Sequence, residues 1–148
     1  MAIEKLKIED ARLCSKNFSG AKTKWKASGI RKFTLILDQE TAERLIEEGW
    51  NVSVRPGKEE GDPDRYYLDV AVKFEKFPPV VKLVTSRGIT PLDEETVGQL
   101  DSANIIKADV VVTPYHWHFN NDQGIKAYLK TGYFTIEEDE FADKYETI

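Results

Sequence analysis

Two long alternating stretches near the end of the chain, residues 104–119 and 125–136, limit the fold more than anything else in it. They are separated by Asn120-Asn121-Asp122-Gln123-Gly124. Successive side chains on a strand point to opposite faces. Two such runs with a short polar link therefore read as an antiparallel hairpin, with Gly124 free to take a positive φ in the loop. On the first strand Tyr115, Trp117 and Phe119 alternate with His116 and His118. On the return strand Lys126, Tyr128, Lys130 and Phe134 fall on one face, and Ile125, Ala127 and Leu129 on the other. Lysines are seldom buried without a partner, so the face with Tyr128 is expected to be wet. A Lys-Tyr-Lys face can stack on bases and meet phosphates. The competing reading is that about half of these aromatics fill the core.

The rest of the chain is also mainly strand-like. Residues 3–14 read as an opening strand with Leu6 and Ile8 on one side. Residues 33–37, FTLIL, are nearly all apolar and read as a strand buried on both faces. Residues 50–54, 66–74 and 80–86 complete the set, and 66–74 places Tyr66, Leu68, Val70, Val72 and Phe74 on one face. Two short helices interrupt them. Asp38 can cap the first, and Gly49 can end it in the left-handed conformation. Thr90-Pro91-Leu92-Asp93 resembles a capping box with proline at the first helical position, for a helix from 91 to about 102 that buries Val97 and Leu100. Residues 55–65 are a polar loop rich in glycine and proline. The expectation is a mainly β protein, an OB-fold-like antiparallel β-barrel with one or two short helices.

Charge is segregated. The net charge of the 148 residues is −5, but residues 137–148 hold six acids and one lysine, so residues 1–136 are neutral. Residues 1–136 are read as one domain and 137–148 as an acidic tail. Within the domain, residues 1–32 carry nine basic residues against Glu4, Glu9 and Asp10. Seven of the nine lie in residues 12–32: Arg12, Lys16, Lys22, Lys24, Lys26, Arg31 and Lys32, with Phe18 and Trp25 among them and no acid from Ala11 to Leu37. Cations meet phosphates and release counterions, and aromatic faces stack on unpaired bases of any sequence. The alternative is a solvated lysine loop with its aromatics tucked into the core.

Other chemistry is sparse. Cys14 is the only cysteine, so no internal disulfide and no cysteine-rich zinc site can form. His116 and His118 share a face, but no third metal ligand is evident. Pro63-Asp64 begins a pattern seen in metal-dependent nucleases, yet Ala71 stands where the second acid belongs, two residues before Lys73. No nucleophile elbow, phosphate-binding glycine loop or HExxH occurs. An enzyme is not expected, nor a cofactor or metal. No apolar run approaches a membrane span, and the first residues lack the apolar centre of a signal peptide. The expected compartment is a reducing cytoplasm.

The chain also resembles the single-stranded DNA-binding proteins of tailed-bacteriophage replication modules. Matching stretches are Asn17-Phe18-Ser19-Gly20, Leu37-Asp38, Gly49-Trp50-Asn51-Val52, Tyr67-Leu68, Pro78-Pro79, Thr85-Ser86-Arg87-Gly88, Pro114-Tyr115-His116-Trp117 and Gly124-Ile125-Lys126-Ala127-Tyr128-Leu129-Lys130. The acidic Glu137-Glu138-Asp139-Glu140 also fits. Each motif is short, and their order along the chain carries the weight. The resemblance implies an OB-like barrel that coats single-stranded DNA in phage replication or recombination, inside the bacterial host, without chemistry of its own. By position it implies roles for Phe18 and for Lys126, Tyr128 and Lys130. The basic density of Lys22, Lys24 and Lys26 goes beyond the family pattern. The tail is expected to guard the basic groove or to recruit replication proteins, the competing reading being a disordered solubilising end or a last helical turn docked on the barrel; the sequence leaves the oligomeric state open, a dimer included. The competing functions are a phage structural or adaptor β-domain and a metal-dependent nuclease.

Overall fold

The computed structural model describes residues 5–20, 31–75 and 78–137. In chain order these form β1 (Leu6–Asn17), β2 (Lys32–Leu37), α1 (Gln39–Glu48), β3 (Val52–Arg55), β4 (Arg65–Ala71), β5 (Val80–Thr85), β6 (Gly88–Leu92), α2 (Gln99–Ser102), β7 (Ile105–Phe119) and β8 (Asp122–Ile136). The strands lie in the order β3-β4-β2-β1-β7-β8-β5-β6. A parallel pairing of Val70 with Ala127 and Ala71 with Tyr128 links β4 back to β8. Hydrogen bonding thus runs β4–β2–β1–β7–β8 and returns to β4, with β3 and the β5–β6 pair appended outside this circuit. The architecture is mainly β with two short helices, consistent with an OB-like topology.

Bulges let β1 serve two neighbours. Its first half pairs with β7 and its second half with β2, and its register shifts between Ile8 and Ala11 and between Cys14 and Asn17. Asp10 (φ 53°) and Ser15 (φ 50°) hold the left-handed backbone at these points. Such insertions sharpen the local bend and switch which side chains face inward. Leu6 is buried before the first bulge and Ala11 after it.

The core lies inside the circuit. Phe33, Leu35 and Leu37 of β2 meet Leu68 and Val70 of β4, Val110 and Val112 of β7, and Ala127 and Leu129 of β8. At one end Phe18, Phe33 and Phe134 form an aromatic trio with ring centroids 5.3, 5.3 and 5.7 Å apart. Each of the three is fully buried, worth roughly 1.5–3 kcal/mol of hydrophobic stabilisation apiece. One face of β2 is interior throughout. Its other face carries Lys32, Thr34 and Ile36; Thr34 is buried and donates to Asp69 at 2.6 Å, whereas Ile36 is 41% exposed. The apolar run is therefore buried on both sides only at its centre.

The first helix follows the local chemistry. Asp38 accepts the Thr41 amide at 2.7 Å, and Gly49 closes the end at φ 100°. The Thr41 amide, ahead of the Thr41 hydroxyl, holds the Asp38 carboxyl below its ordinary pKa. Asp38→Ala is expected to cost about 1 kcal/mol, read as a lowered denaturation midpoint. Because the folded-state pKa is depressed, this contribution is present at neutral pH. It is lost as pH falls through the ordinary aspartate range and then the folded value.

Two sequence expectations are corrected. Thr90 and Pro91 belong to β6, not to a helix. Proline is tolerated there because β6 is the edge of the sheet. Asp93 closes the turn that precedes α2, accepting the Glu95 and Thr96 amides at 2.9 and 3.0 Å, while α2 itself is one turn with Gly98 at its N-cap and no side-chain cap. Val97 and Leu100 are buried, as expected. The closing hairpin is tighter than expected: Phe119 pairs directly with Asp122, and Asn120 (φ 54°) takes the left-handed position. Gly124 lies within β8, opposite Trp117. A side chain at Gly124 would approach the Trp117 ring at 2.9 Å and Asn51 Oδ1 at 2.5 Å, so close packing explains the glycine.

Candidate nucleic-acid interface

The β7–β8 register assembles the strongest candidate surface. Tyr115 stands opposite Lys126 and Thr113 opposite Tyr128. These four side chains lie on the face away from the buried Ile125, Ala127 and Leu129. The Tyr115 and Tyr128 rings are 5.4 Å apart and tilted by 30°. The Lys126 ammonium lies 5.6 Å from the Tyr128 ring centroid, an arrangement that favours a cation beside a π face. Tyr115 is 52% exposed, and Lys126 and Lys130 are exposed. Neither lysine makes an ion pair among the described residues.

Lys5, just before β1, reaches Lys130. Hydrogen-bonding contact with Lys5, and then the repulsion between their charges, lowers the Lys130 pKa. Two ammonium groups this close are relieved when an anion enters between them. The surface therefore offers tyrosine faces beside cations that have no ion-pair partner among the described residues, a combination suited to a phosphodiester strand with unpaired bases.

The basic stretch divides differently from the sequence expectation. Lys22, Lys24, Trp25 and Lys26 lie outside the described residues. Phe18 is not available for stacking: its ring is in the aromatic trio with no exposed surface. Asp101 fixes it there by accepting the Phe18 and Ser19 amides at 2.7 and 2.9 Å. Lys16 donates to the Leu100 carbonyl at 3.0 Å and to the Ala103 carbonyl, tying β1 to the end of α2. Arg31 donates to the Phe18 carbonyl at 2.8 Å, pairs with Glu94 at 3.7 Å and lies 5.4 Å above the Phe74 ring. Lys32 pairs with Asp69 at 3.1 Å. These three cations are engaged in holding the fold. Arg12 is exposed on β1 opposite Ile36, beside a shallow cleft also lined by Glu9, Asp10 and Asp38. The described part of the stretch is therefore structural at Lys16, Phe18, Arg31 and Lys32, while Arg12 is open to solvent.

Phe134 departs from its expected face. It is buried, whereas Lys126 and Tyr128 point outward. The register between β7 and β8 shifts between Val111 and Val112, because Val112 faces Leu129 while Val111 faces Thr131. Lys130 is the extra residue, and alternation changes phase across it. Lys5 and Tyr115 were not singled out from sequence as site residues. Lys5 sits far from them in the chain, and only the pairing of Leu6 with Val112 brings it near.

The whole chain, residues 1–148, matches the family model described as "Putative phage ssDNA-binding domain". The chain belongs to that family. Among solved structures the chain is similar to the single-stranded DNA-binding protein of bacteriophage Enc34. The C-terminally truncated form gives a TM-score of 0.58 at 11% identity, over 91% of this chain and 87% of that one. The untruncated form gives 0.57 at 10%, over 95% and 89%. The form in complex with single-stranded DNA gives 0.56 at 11%, over 93% and 89%. At this identity the likeness concerns the fold. No curated protein matches the domain by sequence. Among the described residues, no group of three or more His, Cys, Asp or Glu side chains could hold a metal ion.

Proposed function

We propose that this chain binds and coats single-stranded DNA during phage DNA replication or recombination, as an OB-type barrel that catalyses no reaction. The observation that carries the reading is the outward face of the β7–β8 hairpin, where Tyr115 and Tyr128 lie beside Lys126 and Lys130. Membership of a phage single-stranded DNA-binding family supports it. In this mechanism the ammonium groups follow the sugar–phosphate backbone while bases stack on the tyrosines. A duplex keeps its base faces covered, so stacking selects unpaired strands. In this reading Lys22, Lys24, Trp25, Lys26 and Arg12 also contact the DNA. The acidic segment 137–148 recruits replication proteins in the host cytoplasm or competes with DNA for the lysines.

Titration with oligo-dT, followed by intrinsic tryptophan fluorescence, tests the reading. Affinity for the single strand should exceed that for a blunt duplex of equal length. With about four phosphates neutralised at roughly −0.7 each, the log–log salt slope should be near −3. Equal affinity for duplex, or a slope of zero, would remove this function and favour a protein-contacting β-domain.

A further inference from the structure

The phase change at Lys130 does more than bury Phe134. Before it, Ile125, Ala127 and Leu129 face the core; after it, Gly132 and Phe134 do. Tyr133 is thereby carried to the outer face, where it is 37% exposed. β5 runs parallel to β8 at this point, with Lys82 directly beside Tyr133 and Val80 beside Thr131. Val80 is 48% exposed, and Lys82 makes no ion pair among the described residues. Asp109, opposite Tyr133 on β7, is engaged elsewhere: its Oδ1 accepts the Asp10 amide at 2.8 Å, and the Asp10 carboxylate pairs with Lys107 at 3.4 Å. The outer face of β8 thus reads Lys126, Tyr128, Lys130, Tyr133, with Lys82 and Lys5 along its flanks.

We infer that Tyr133 and Lys82 form a second nucleotide position on this face, taking one unpaired base and its phosphate from the strand that also meets Tyr115 and Tyr128. The inference rests on the reading under Proposed function and sets the path of the strand, along β8. Five residues of strand separate Tyr128 from Tyr133, or roughly 17 Å. Bases stacked within one strand lie about 3.4 Å apart, so the two rings receive bases that are not neighbours. The backbone between them passes Lys130 and Lys5, where paired ammonium groups await an anion.

Binding of labelled dT oligomers to the full chain, read by fluorescence anisotropy, tests this. With oligomers of about 4 and 12 nucleotides, Tyr133→Ala should weaken the longer one about five- to hundredfold and the shorter one by less than about twofold. Tyr133→Phe, which keeps the ring, should bind like the parent. Lys82→Ala should reduce the salt slope of the longer oligomer by about 0.7. If Tyr128→Ala weakens binding but Tyr133→Ala leaves both lengths unchanged, the second position does not exist while the proposed function stands. If the parent binds and neither variant weakens it, the strand does not follow β8 and the inference is overturned; if the parent itself does not bind oligo-dT, the function falls and the inference with it. If Tyr133→Ala and Tyr133→Phe both lose affinity together with melting temperature, Tyr133 is a packing residue and the inference is overturned.

Discussion

Replacing Phe18 by alanine is expected to destabilise the protein by about 3–5 kcal/mol, the usual range for emptying a fully buried phenylalanine site. The ring has no exposed surface, and it packs on Phe33 and Phe134 with centroids 5.3 Å away in both cases. Its backbone is held by Asp101, so the main chain has little freedom to close the cavity. Urea unfolding measures the effect as a lower midpoint with an unchanged slope. Affinity for oligo-dT, measured where the variant is fully folded, should match the parent. An unchanged midpoint with weakened DNA binding would return Phe18 to the interface and contradict the burial described above.

Tyr128→Ala is expected to weaken binding to oligo-dT by about 1–3 kcal/mol, or roughly five- to 150-fold. The ring stands between Tyr115, at 5.4 Å, and Lys126, at 5.6 Å, so its removal takes away both a stacking face and the support of a neighbour. Tyr115→Ala should act in the same direction. The double variant should lose less than the two single losses added, because residues in contact are not independent. Melting curves should stay close to the parent, since Tyr115 is 52% exposed. If Tyr128→Ala binds normally, DNA recognition lies in residues 21–30 and not on this hairpin.

Much of the fold could be read from the chain because it depends on local chemistry. Asp38 and Gly49 bracket a helix through capping and a positive φ, and alternation marks β4, β7 and β8. The errors share a cause: the sequence carries no direct sign of register. Two bulges in β1 and one in β8 change the phase of alternation, and Phe134 was misplaced for that reason. Gly132 was the one available hint, since glycine inside a strand often marks a bulge or a close approach. A side chain there would meet the Phe134 ring at 2.5 Å. The basic stretch was legible only in part. Charge density shows how many cations are present but not which are already engaged. Lys16, Arg31 and Lys32 find carbonyl or carboxylate partners more than 30 residues away, which only the folded chain brings together.

The extra residue at Lys130 also sets what a change of length can do to this strand in inheritance. Val112 and Val111 pair with Leu129 and Thr131, so losing the codon for Lys130 would leave both pairings in register. Phe134 would stay inward and Tyr133 outward, because the strand would then alternate regularly from Leu129 onward. Only the bulge and one ammonium group would go. Within β8 this is a place where a lineage can shed a residue without turning core side chains outward.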